Sequence, residues 1–340
     1  MVRRGVVLVG CGGMGRLHLE GLRGVEGLEL IGVVDLQGRR AEDVAREYSA
    51  RNWSTDRQEY LDNQDCDIAI VATYPSSHKE IALDFLKAGK HVLCEKPLAA
   101  TLKEAKEIIS AAKATGKKLM VGYILRHNAS YQKIARMIKD GLVGSPIVMR
   151  MLGGEHPITD EHWRRDVVLA TETSPIIDCG CHYVDLMRWF TGAEAVQVSG
   201  AGLRLSEEIP EGKYDYGIIT VRMSDRSVGT YEVGWTRNYR NFSDKEFVGP
   251  KGRIRLVYQQ YRHDHPEEGD LLEYYSYPDH YQMVNVKGEL KETGAQLKAL
   301  VEMIEQNRDP MPGLEDARKS LEIALAGDEA IRGGKTVVLG

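Results

Sequence analysis

A glycine-rich turn directly after an apolar run constrains this chain more than any other feature. Val6–Val9 is a short aliphatic run, and Gly10-Cys11-Gly12-Gly13-Met14-Gly15 follows it. In a strand–turn–helix unit, one glycine permits the tight turn and a second lets a phosphate approach the backbone. A third glycine lets the helix pack closely on the strand. The spacing of Gly10, Gly12 and Gly15 satisfies all three requirements.

The residues after this turn favour a dinucleotide as its ligand. The helix opening at Gly13 and Met14 offers amide donors and partial positive charge to phosphates. Asp35 ends the next predicted strand, where a carboxylate accepts hydrogen bonds from the adenosine ribose and repels a 2′-phosphate. The sequence therefore predicts NAD as the cofactor. Arg39 and Arg40 leave NADP as the alternative, because a guanidinium can bind a 2′-phosphate.

Hydrophobic periodicity in the first part of the chain predicts a doubly wound parallel sheet, because short runs rich in Val and Ile alternate with helical patterns. The predicted strands are Gly5–Val9, Leu28–Val34, Ile68–Ala72, His91–Cys94 and Lys118–Gly122, and the helices include Gly38–Tyr48, Ser77–Ala88 and Leu102–Thr115. Thr101 and Glu104 have the spacing of a capping box at the start of the last helix.

The pattern changes after Gly122 and predicts a second, α+β domain with a large open, mostly antiparallel sheet. The predicted elements are a helix at Ser130–Asp140, a hairpin of Tyr216–Met223 and Ser227–Trp235, strands at Glu246–Val248 and Arg253–Tyr258, and helices within Ala295–Gly333. We place the Rossmann domain at residues 1–122 and the second domain at residues 123–340, with the helices from about residue 295 packing back on the first. Tyr258–Tyr281 has no clear pattern and reads as a loop or edge region.

Composition narrows the class of protein. A length of 340 residues favours two domains, and a net charge of −5 argues against nucleic acid as a partner. No apolar stretch approaches the length of a membrane span or a signal peptide core, which predicts a cytoplasmic protein without a membrane partner. The open sheet of the second domain would leave an apolar face to be covered, which predicts a homodimer or homotetramer.

The five cysteines are odd in number, and several lie in apolar segments. They are interpreted as small buried side chains in a reducing compartment. Cys179, Cys181 and His182 could instead belong to a zinc site. A Cys-x-Cys pair beside one histidine is incomplete, however, and no Cys-x-x-Cys elsewhere completes it. We predict no metal.

Several further motifs occur in a fixed order along the chain. They are Ala72–His78 (ATYPSSH), Ala88–Pro97 (AGKHVLCEKP), Gly122–His127 (GYILRH), Asp178–Asp185 (DCGCHYVD) and Trp189–Gly192 (WFTG). Together with the glycine turn and Asp35, they resemble the Gfo/Idh/MocA oxidoreductase family, which includes inositol dehydrogenases and glucose–fructose oxidoreductase. The resemblance covers nearly the whole chain and is weakest from about residue 207 to residue 290.

The resemblance implies that Lys96, Asp178 and His182 are catalytic. Lys96 follows a predicted strand at the carboxyl edge of the sheet, where its ammonium could stabilise charge on a substrate oxygen. The family's Lys–Pro bond is often cis. Asp178 and His182 would share one face of a helix, where a carboxylate can orient an imidazole as a proton acceptor. Without the resemblance, a helix-starting aspartate and a packed histidine would remain the alternative, as would a solvated lysine.

The resemblance also implies further contacts. Cofactor contacts fall on the glycine turn (Gly10, Gly12, Gly13, Met14 and Gly15), on Asp35 and on Thr73, Pro75, His78, Glu95, Lys96 and Arg126. His78 could equally be a helix-start residue. Substrate contacts fall on Lys96, Tyr123, His156, Asp178 and His182. The chain departs from the family at Thr171–Pro175, where a glycine run is common, which leaves the substrate open.

These residues predict an NAD-dependent dehydrogenase that moves hydride between the nicotinamide and a secondary alcohol of a cyclic polyol or sugar. An NAD-dependent glycoside hydrolase, acting by transient oxidation and elimination, is the alternative within the same family. A non-catalytic NAD-sensing protein is a third possibility. It would need the glycine turn but not the set of Lys96, Asp178 and His182.

Overall fold

The structure is a computed structural model, and it describes residues 3–154, 159–239 and 242–340. Its described residues divide into two units. The first contains Met1–His127 and Lys291–Arg318, and the second contains Asn128–Leu290 and Lys319–Gly340. Among the described residues, no helix has both the length and the apolar character that crossing a bilayer requires.

The first unit is built on a six-stranded sheet in which every pair of neighbouring strands is parallel. The strands are β1 (Arg4–Val9), β2 (Leu28–Val34), β3 (Asn52–Ser54), β4 (Cys66–Val71), β5 (His91–Cys94) and β6 (Leu119–Val121). The helices are α1 (Gly13–Arg23), α2 (Gly38–Tyr48), α3 (Gln58–Leu61), α4 (Pro75–Lys87), α5 (Leu102–Thr115) and, later in the chain, α10 (Thr293–Glu305). The strand order β3-β2-β1-β4-β5-β6 confirms the predicted doubly wound sheet.

The core of the first unit forms because the central strands are apolar on both faces. Residues 6–8 of β1 and residues 68–71 of β4 are completely buried, as expected for parallel strands covered by helices on each side. Helix α10 adds Leu297 and Leu300 to the cluster that contains Leu19 of α1. A Cβ at Gly21 of α1 would overlap the Thr293 hydroxyl, so this glycine permits the close approach of α1 and α10.

The second unit is built on a nine-stranded, mostly antiparallel sheet, which confirms the predicted fold class. The strands are β7 (Val148–Gly154), β8 (Ala195–Leu203), β9 (Tyr216–Met223), β10 (Val228–Gly234), β11 (Phe242–Val248), β12 (Arg253–Val257), β13 (Asp270–Ser276), β14 (His280–Val286) and β15 (Val337–Val338). The helices are α6 (Ala129–Lys139), α7 (Asp160–Glu172), α8 (Pro175–Asp178) and α9 (Gly180–Thr191). Helix α11 (Leu314–Gly333) crosses the division between the units at Arg318. The order is β14-β13-β12-β11-β7-β10-β9-β8-β15, with β7 and β10 parallel.

The two faces of this sheet differ in chemistry. On one face Tyr231 of β10 stacks on Tyr183 of α9 with ring centroids 4.3 Å apart. The opposite face carries cross-strand ion pairs. Arg150 lies 2.9 Å from Glu246, and Arg255 lies 3.2 Å from Asp244. Alternation along the strands therefore directs mainly apolar residues toward the helices and charged residues away from them. Lys245 of β11 is an exception, because it is buried on the helix-covered face with its ammonium 4.9 Å from the centre of the Tyr183 ring.

The segment Tyr258–Tyr281, which had no clear pattern in the sequence, contains β13 and the start of β14. Strand β14 is at the edge of the sheet, and its residues 280–283 are exposed. An edge strand with both faces in solvent has no apolar alternation. Helix α7 and strand β8 were also not predicted.

The capping box at Thr101 provides a test of local stability. Thr101 Oγ1 accepts the Glu104 amide at 3.2 Å, and Glu104 Oε2 accepts the Thr101 amide at 3.2 Å. We expect Thr101→Ala to lower the free energy of unfolding by about 1 kcal/mol, because the Glu104 amide in the first turn of α5 loses its side-chain acceptor. Chemical denaturation measures this loss. The matched control is Ser110→Ala, an exposed position inside the same helix, where alanine should be neutral or slightly stabilising. Equal effects of the two substitutions would contradict the capping role.

Candidate functional site

Three loops that carry predicted site residues leave the same edge of the parallel sheet. Strands β1, β4 and β5 are neighbours in the sheet and run in the same direction. The glycine turn follows β1, Thr73 follows β4, and Lys96 follows β5. The carboxyl edge of an open parallel sheet is where ligands bind, at the point where the strand order reverses. Here that point lies between β1 and β4.

Gly10, Gly12 and Gly15 of the glycine turn differ in what a side chain at each position would meet. Gly10 has a φ of +99°, and a Cβ there would lie 2.5 Å from the Ala72 carbonyl oxygen. A Cβ at Gly15 would overlap the Gly10 carbonyl oxygen. Gly12 is extended, with φ −75° and ψ −169°, and a Cβ there would meet nothing within 4 Å. The protein itself requires Gly10 and Gly15, whereas no protein atom opposes a side chain at Gly12.

Asp35 is held rigidly beside this turn. Its Oδ2 accepts the Cys11 amide at 3.0 Å, and its Oδ1 accepts the Gln37 amide at 2.9 Å. Arg40 Nη1 lies 3.5 Å from Asp35 Oδ2, and Arg40 Nη2 donates to the Gln37 side chain at 2.9 Å. Burial, followed by the Asp35 charge, raises the pKa of the Cys11 thiol to about 12, so this thiol stays neutral. The turn and Asp35 together fit the phosphates and ribose of a dinucleotide.

Lys96 follows Glu95, a buried residue whose two carboxylate oxygens both make hydrogen bonds. Glu95 Oε1 lies 2.7 Å from His18 Nε2, and both side chains are buried. Glu95 Oε2 accepts the Lys96 amide at 3.2 Å. Gly122 directly follows the next strand, β6, and a Cβ there would lie 2.7 Å from this oxygen. The Lys96–Pro97 peptide bond is cis, as the resemblance implies, and the Lys96 side chain is half-buried.

The structure does not support a cofactor contact by the His78 side chain or a substrate contact by Tyr123. His78 is fully buried, with Nδ1 2.9 Å from the Pro97 carbonyl oxygen and Nε2 3.1 Å from the Thr73 carbonyl oxygen. It joins the loops after β4 and β5, and its burial lowers the pKa of its imidazole. Tyr123 is also fully buried, and its hydroxyl donates to the Ala317 carbonyl oxygen at 3.4 Å. Both expectations are corrected to structural roles.

The other predicted contacts have more varied surroundings. Thr73 Oγ1 accepts a hydrogen bond from the Ser77 hydroxyl at 2.8 Å, and Pro75 is the first residue of α4. Arg126 is buried in the short 3-10 turn that follows β6. His156 lies outside the described residues. No described contact assigns a ligand to any of these positions.

The sequence suggested that Asp178 and His182 lie in one continuous α-helix, but in the structure they belong to two successive helices. Asp178 ends α8, and α9 begins at Gly180, with the turn residue Cys179 between them. The His182 amide bonds to the Cys179 carbonyl oxygen at 3.2 Å, which tightens the turn at this point. Both side chains are partly accessible. The two residues therefore flank a helix junction, at which Cys179 keeps right-handed helical φ and ψ values of −83° and −42°.

The cysteine pair at this junction makes local contacts. Cys179 Sγ lies 3.5 Å from Asp178 Oδ2, and Cys181 Sγ lies 3.2 Å from the Asp178 carbonyl oxygen. Within the described residues, a group of three potential metal ligands close to one another is found at His265, Glu267 and Glu268, and it is largely exposed. Exposed acidic groups of this kind are common without an ion.

Reasoning from the sequence missed His18. It lies on the buried face of α1 three residues after Gly15, with Leu19 and Leu22. A histidine at a core position of an otherwise apolar helix face was the available signal, because a buried imidazole requires a polar partner. The partner, Glu95, is 77 residues away in the chain, and local patterns do not reveal such a pairing.

Comparisons with known proteins agree with this geometry. Residues 4–123 match the model of the Gfo/Idh/MocA oxidoreductase family with an NAD-binding Rossmann fold, and residues 131–255 match a C-terminal domain model of the same family. A scyllo-inositol 2-dehydrogenase (NAD(+)) of Bacillus subtilis is 27% identical over 335 residues, which are 98% of this chain and 95% of that protein. An inositol 2-dehydrogenase of Rubrobacter xylanophilus is 28% identical over 259 residues, which are 75% of this chain and 71% of the relative.

A solved structure shares the architecture. The oxidoreductase domain protein from Kribbella flavida superposes with a TM-score of 0.85 at 22% identity, and the match covers 100% of both chains. The glycine turn, the acidic residue that follows β2 and the two matched domain models are consistent with one another. The chain therefore belongs to the Gfo/Idh/MocA oxidoreductase family, and its first unit is an NAD-binding Rossmann fold.

Proposed function

We propose that this protein is an NAD-dependent dehydrogenase that oxidises a secondary alcohol of a cyclic polyol or pyranose sugar. The observation that carries the proposal is the placement of a half-buried Lys96 at the same sheet edge as the open space over Gly12. The inositol substrates in the names of the two relatives support the polyol class. No observation favours the glycoside hydrolase.

The proposed cofactor contacts follow from the geometry of the glycine turn. The phosphates lie against Gly12, Gly13 and Met14, where α1 begins without an acidic side chain in its first turn. The adenosine ribose bonds to Asp35. Because Arg40 is already close to Asp35 and Gln37, it is poorly placed to serve a 2′-phosphate, which favours NAD over NADP.

The proposed chemistry assigns one task to each of three side chains. Oxidation of an alcohol removes a hydride from carbon and a proton from oxygen, and bound NAD supplies the hydride acceptor. Lys96 donates a hydrogen bond to the reacting oxygen and stabilises its developing negative charge. His182 accepts the hydroxyl proton, and the Asp178 carboxylate favours the resulting imidazolium. The reverse reaction returns the proton from His182 to the oxygen.

We further propose that the protein is a homodimer or homotetramer that uses the open face of the nine-stranded sheet, which is charged and not apolar as the sequence had suggested. That face carries alternating Arg and Glu or Asp side chains, so it is complementary to a second copy of itself. We expect light scattering at low ionic strength to give a dimer or tetramer mass. A monomer at micromolar concentration, where a stable interface would be saturated, would contradict the assembly.

Because no protein atom lies near the Cβ position of Gly12, we expect a substitution there to change cofactor binding without changing the stability of the protein. We expect Gly12→Ala to leave the melting temperature of the cofactor-free protein unchanged, because the new methyl group meets no protein atom. NAD affinity should fall roughly tenfold or more, equivalent to about 1.4 kcal/mol, because the methyl group occupies the phosphate approach. Calorimetric titration measures the affinity. Gly333→Ala, another position without a neighbour within 4 Å, is the matched control. Unchanged NAD affinity in Gly12→Ala would contradict the proposed contact.

The reaction is tested by a panel of inositols, pyranoses and sugar acids with NAD and with NADP, followed at the absorbance of the reduced nicotinamide. We expect net NADH formation with at least one cyclic polyol or sugar. Lys96→Ala should lower kcat about 10³-fold while NADH binding stays nearly intact, since the ammonium acts on the reacting oxygen.

The control for that substitution is Lys113→Ala, an exposed lysine of α5 in the same unit, which should retain full activity. Equal loss of kcat and of NADH binding in Lys96→Ala would indicate a folding role for the lysine instead. Cleavage of a glycoside without net NADH would replace the dehydrogenase by the hydrolase.

A further inference from the structure

The segment before Asp178, where the chain departs from the family's glycine run, forms a specific helix start. Ser174 is the N-cap of α8, and its Oγ accepts the Ile177 amide at 3.3 Å. Pro175 occupies the first helical position, where its missing N–H removes no hydrogen bond. Helix α8 is a single turn that ends at Asp178. The Asp178 amide bonds to the Ser174 carbonyl oxygen at 2.9 Å, so the position of Ser174 sets that of Asp178.

A chain of buried hydrogen bonds fixes Ser174 from the other side. The Tyr214 hydroxyl lies 2.9 Å from Ser174 Oγ and 2.8 Å from Asp328 Oδ1. The hydroxyl has one proton and a carboxylate only accepts, so Tyr214 donates to Asp328 and accepts from Ser174. Asp328 Oδ2 in turn lies 2.5 Å from Arg332 Nη2. Ser174, Tyr214 and Asp328 are only 5%, 6% and 3% exposed, so water does not compete for these bonds.

Two features oppose ionisation of the Tyr214 hydroxyl. Burial and, after it, the Asp328 carboxylate raise the pKa of this phenol above its ordinary value. The hydroxyl therefore keeps its proton throughout the neutral range. Tyr214 therefore remains able to donate to Asp328 in this range.

Helix α11, which carries Asp328, is joined to the same region at a second place. Ser320 Oγ donates to Asp185 Oδ1 of α9 at 3.1 Å, and both side chains are buried. A Cβ at Gly327 would lie 3.1 Å from the Ile176 side chain of α8. Thus α11 contacts α8 directly, bonds to it through Tyr214, and bonds to α9 through Ser320.

We propose that Tyr214 and Asp328 are positioning residues that hold Asp178 and His182 in their reactive orientation through Ser174. This inference rests on the proposed function, in which Asp178 and His182 handle the substrate proton. An apolar contact would leave α8 free to rotate or slide, whereas a directional chain of hydrogen bonds permits one arrangement. Misplacement of a reacting group by about 1 Å is enough to lower a rate up to a hundredfold.

The test compares Tyr214→Phe, Ser174→Ala and Ser174→Thr. We expect the first two to lower kcat about 10-fold or more, while the KM for NAD stays unchanged. The residues of the glycine turn belong to the other unit. Ser174→Thr retains the hydroxyl, so it should recover most of the wild-type kcat. The same variants are examined by hydrogen–deuterium exchange, in which residues 175–182 should exchange faster in Tyr214→Phe and Ser174→Ala than in the wild type.

The matched control is Tyr216→Phe. The Tyr216 hydroxyl donates to Glu232 at 3.0 Å within the same sheet but has no described bond to Ser174, so kcat and exchange should both stay at wild-type values. Wild-type kcat in Tyr214→Phe, with His182→Ala inactive, would overturn the positioning role and leave the proposed function intact.

A fully active His182→Ala would overturn the proposed proton acceptor instead. If His182→Ala is active, hydrogen–deuterium exchange in residues 175–182 still tests whether the hydrogen-bond chain orders the segment around Asp178. Unchanged exchange in Tyr214→Phe would reject the positioning role of Tyr214 even then. If Ser174→Ala fails to fold, Tyr214→Phe and Ser174→Thr still show whether kcat and hydrogen–deuterium exchange change when the hydrogen-bond chain is broken and when it is kept.

Discussion

The hydrogen bond between His18 and Glu95 connects the two elements on which the proposed chemistry depends, helix α1 and the loop after β5. At 2.7 Å between buried partners, it joins the helix that opens at the glycine turn to the loop that carries Lys96. The other Glu95 oxygen accepts the Lys96 amide, so one carboxylate fixes the backbone of the lysine relative to the helix. Leaving a buried carboxylate without its partners is costly, and this cost keeps the arrangement unique. His78 adds a second connection, because it joins the loops after β4 and β5.

Much of the fold could be predicted because local pattern and tertiary environment agree. Strands β2, β5 and β9 and helices α2 and α5 have the bounds that periodicity gave, since each has a continuous apolar run or a clear apolar face. The hairpin strand β14 could not be predicted, because its residues are exposed on both faces and show no alternation. The junction at Cys179 could not be predicted either, because this residue keeps helical φ and ψ and leaves the helical spacing of Asp178 and His182 intact.

The candidate site shows the same division. Residues whose role is set by their own backbone, such as Gly10 and Gly15, could be read from spacing alone. Residues whose role depends on a distant partner could not. Tyr123 occupies a motif position that suggested substrate contact, yet its hydroxyl is bonded to a carbonyl nearly two hundred residues away in the chain. Tyr214 and Asp328 are 114 residues apart, and neither lies in a recognisable motif.

The contrast between Gly12 and the two glycines Gly10 and Gly15 also has a consequence for how the sequences of such chains diverge. Packing retains Gly10 and Gly15 whether or not a dinucleotide binds, while no protein atom opposes a side chain at residue 12, where we propose the phosphate contact. In a lineage that no longer binds the cofactor, we therefore expect substitutions at residue 12, while residues 10 and 15 remain glycine. Inspection of these three positions distinguishes a descendant that has lost its ligand from one that has lost the architecture.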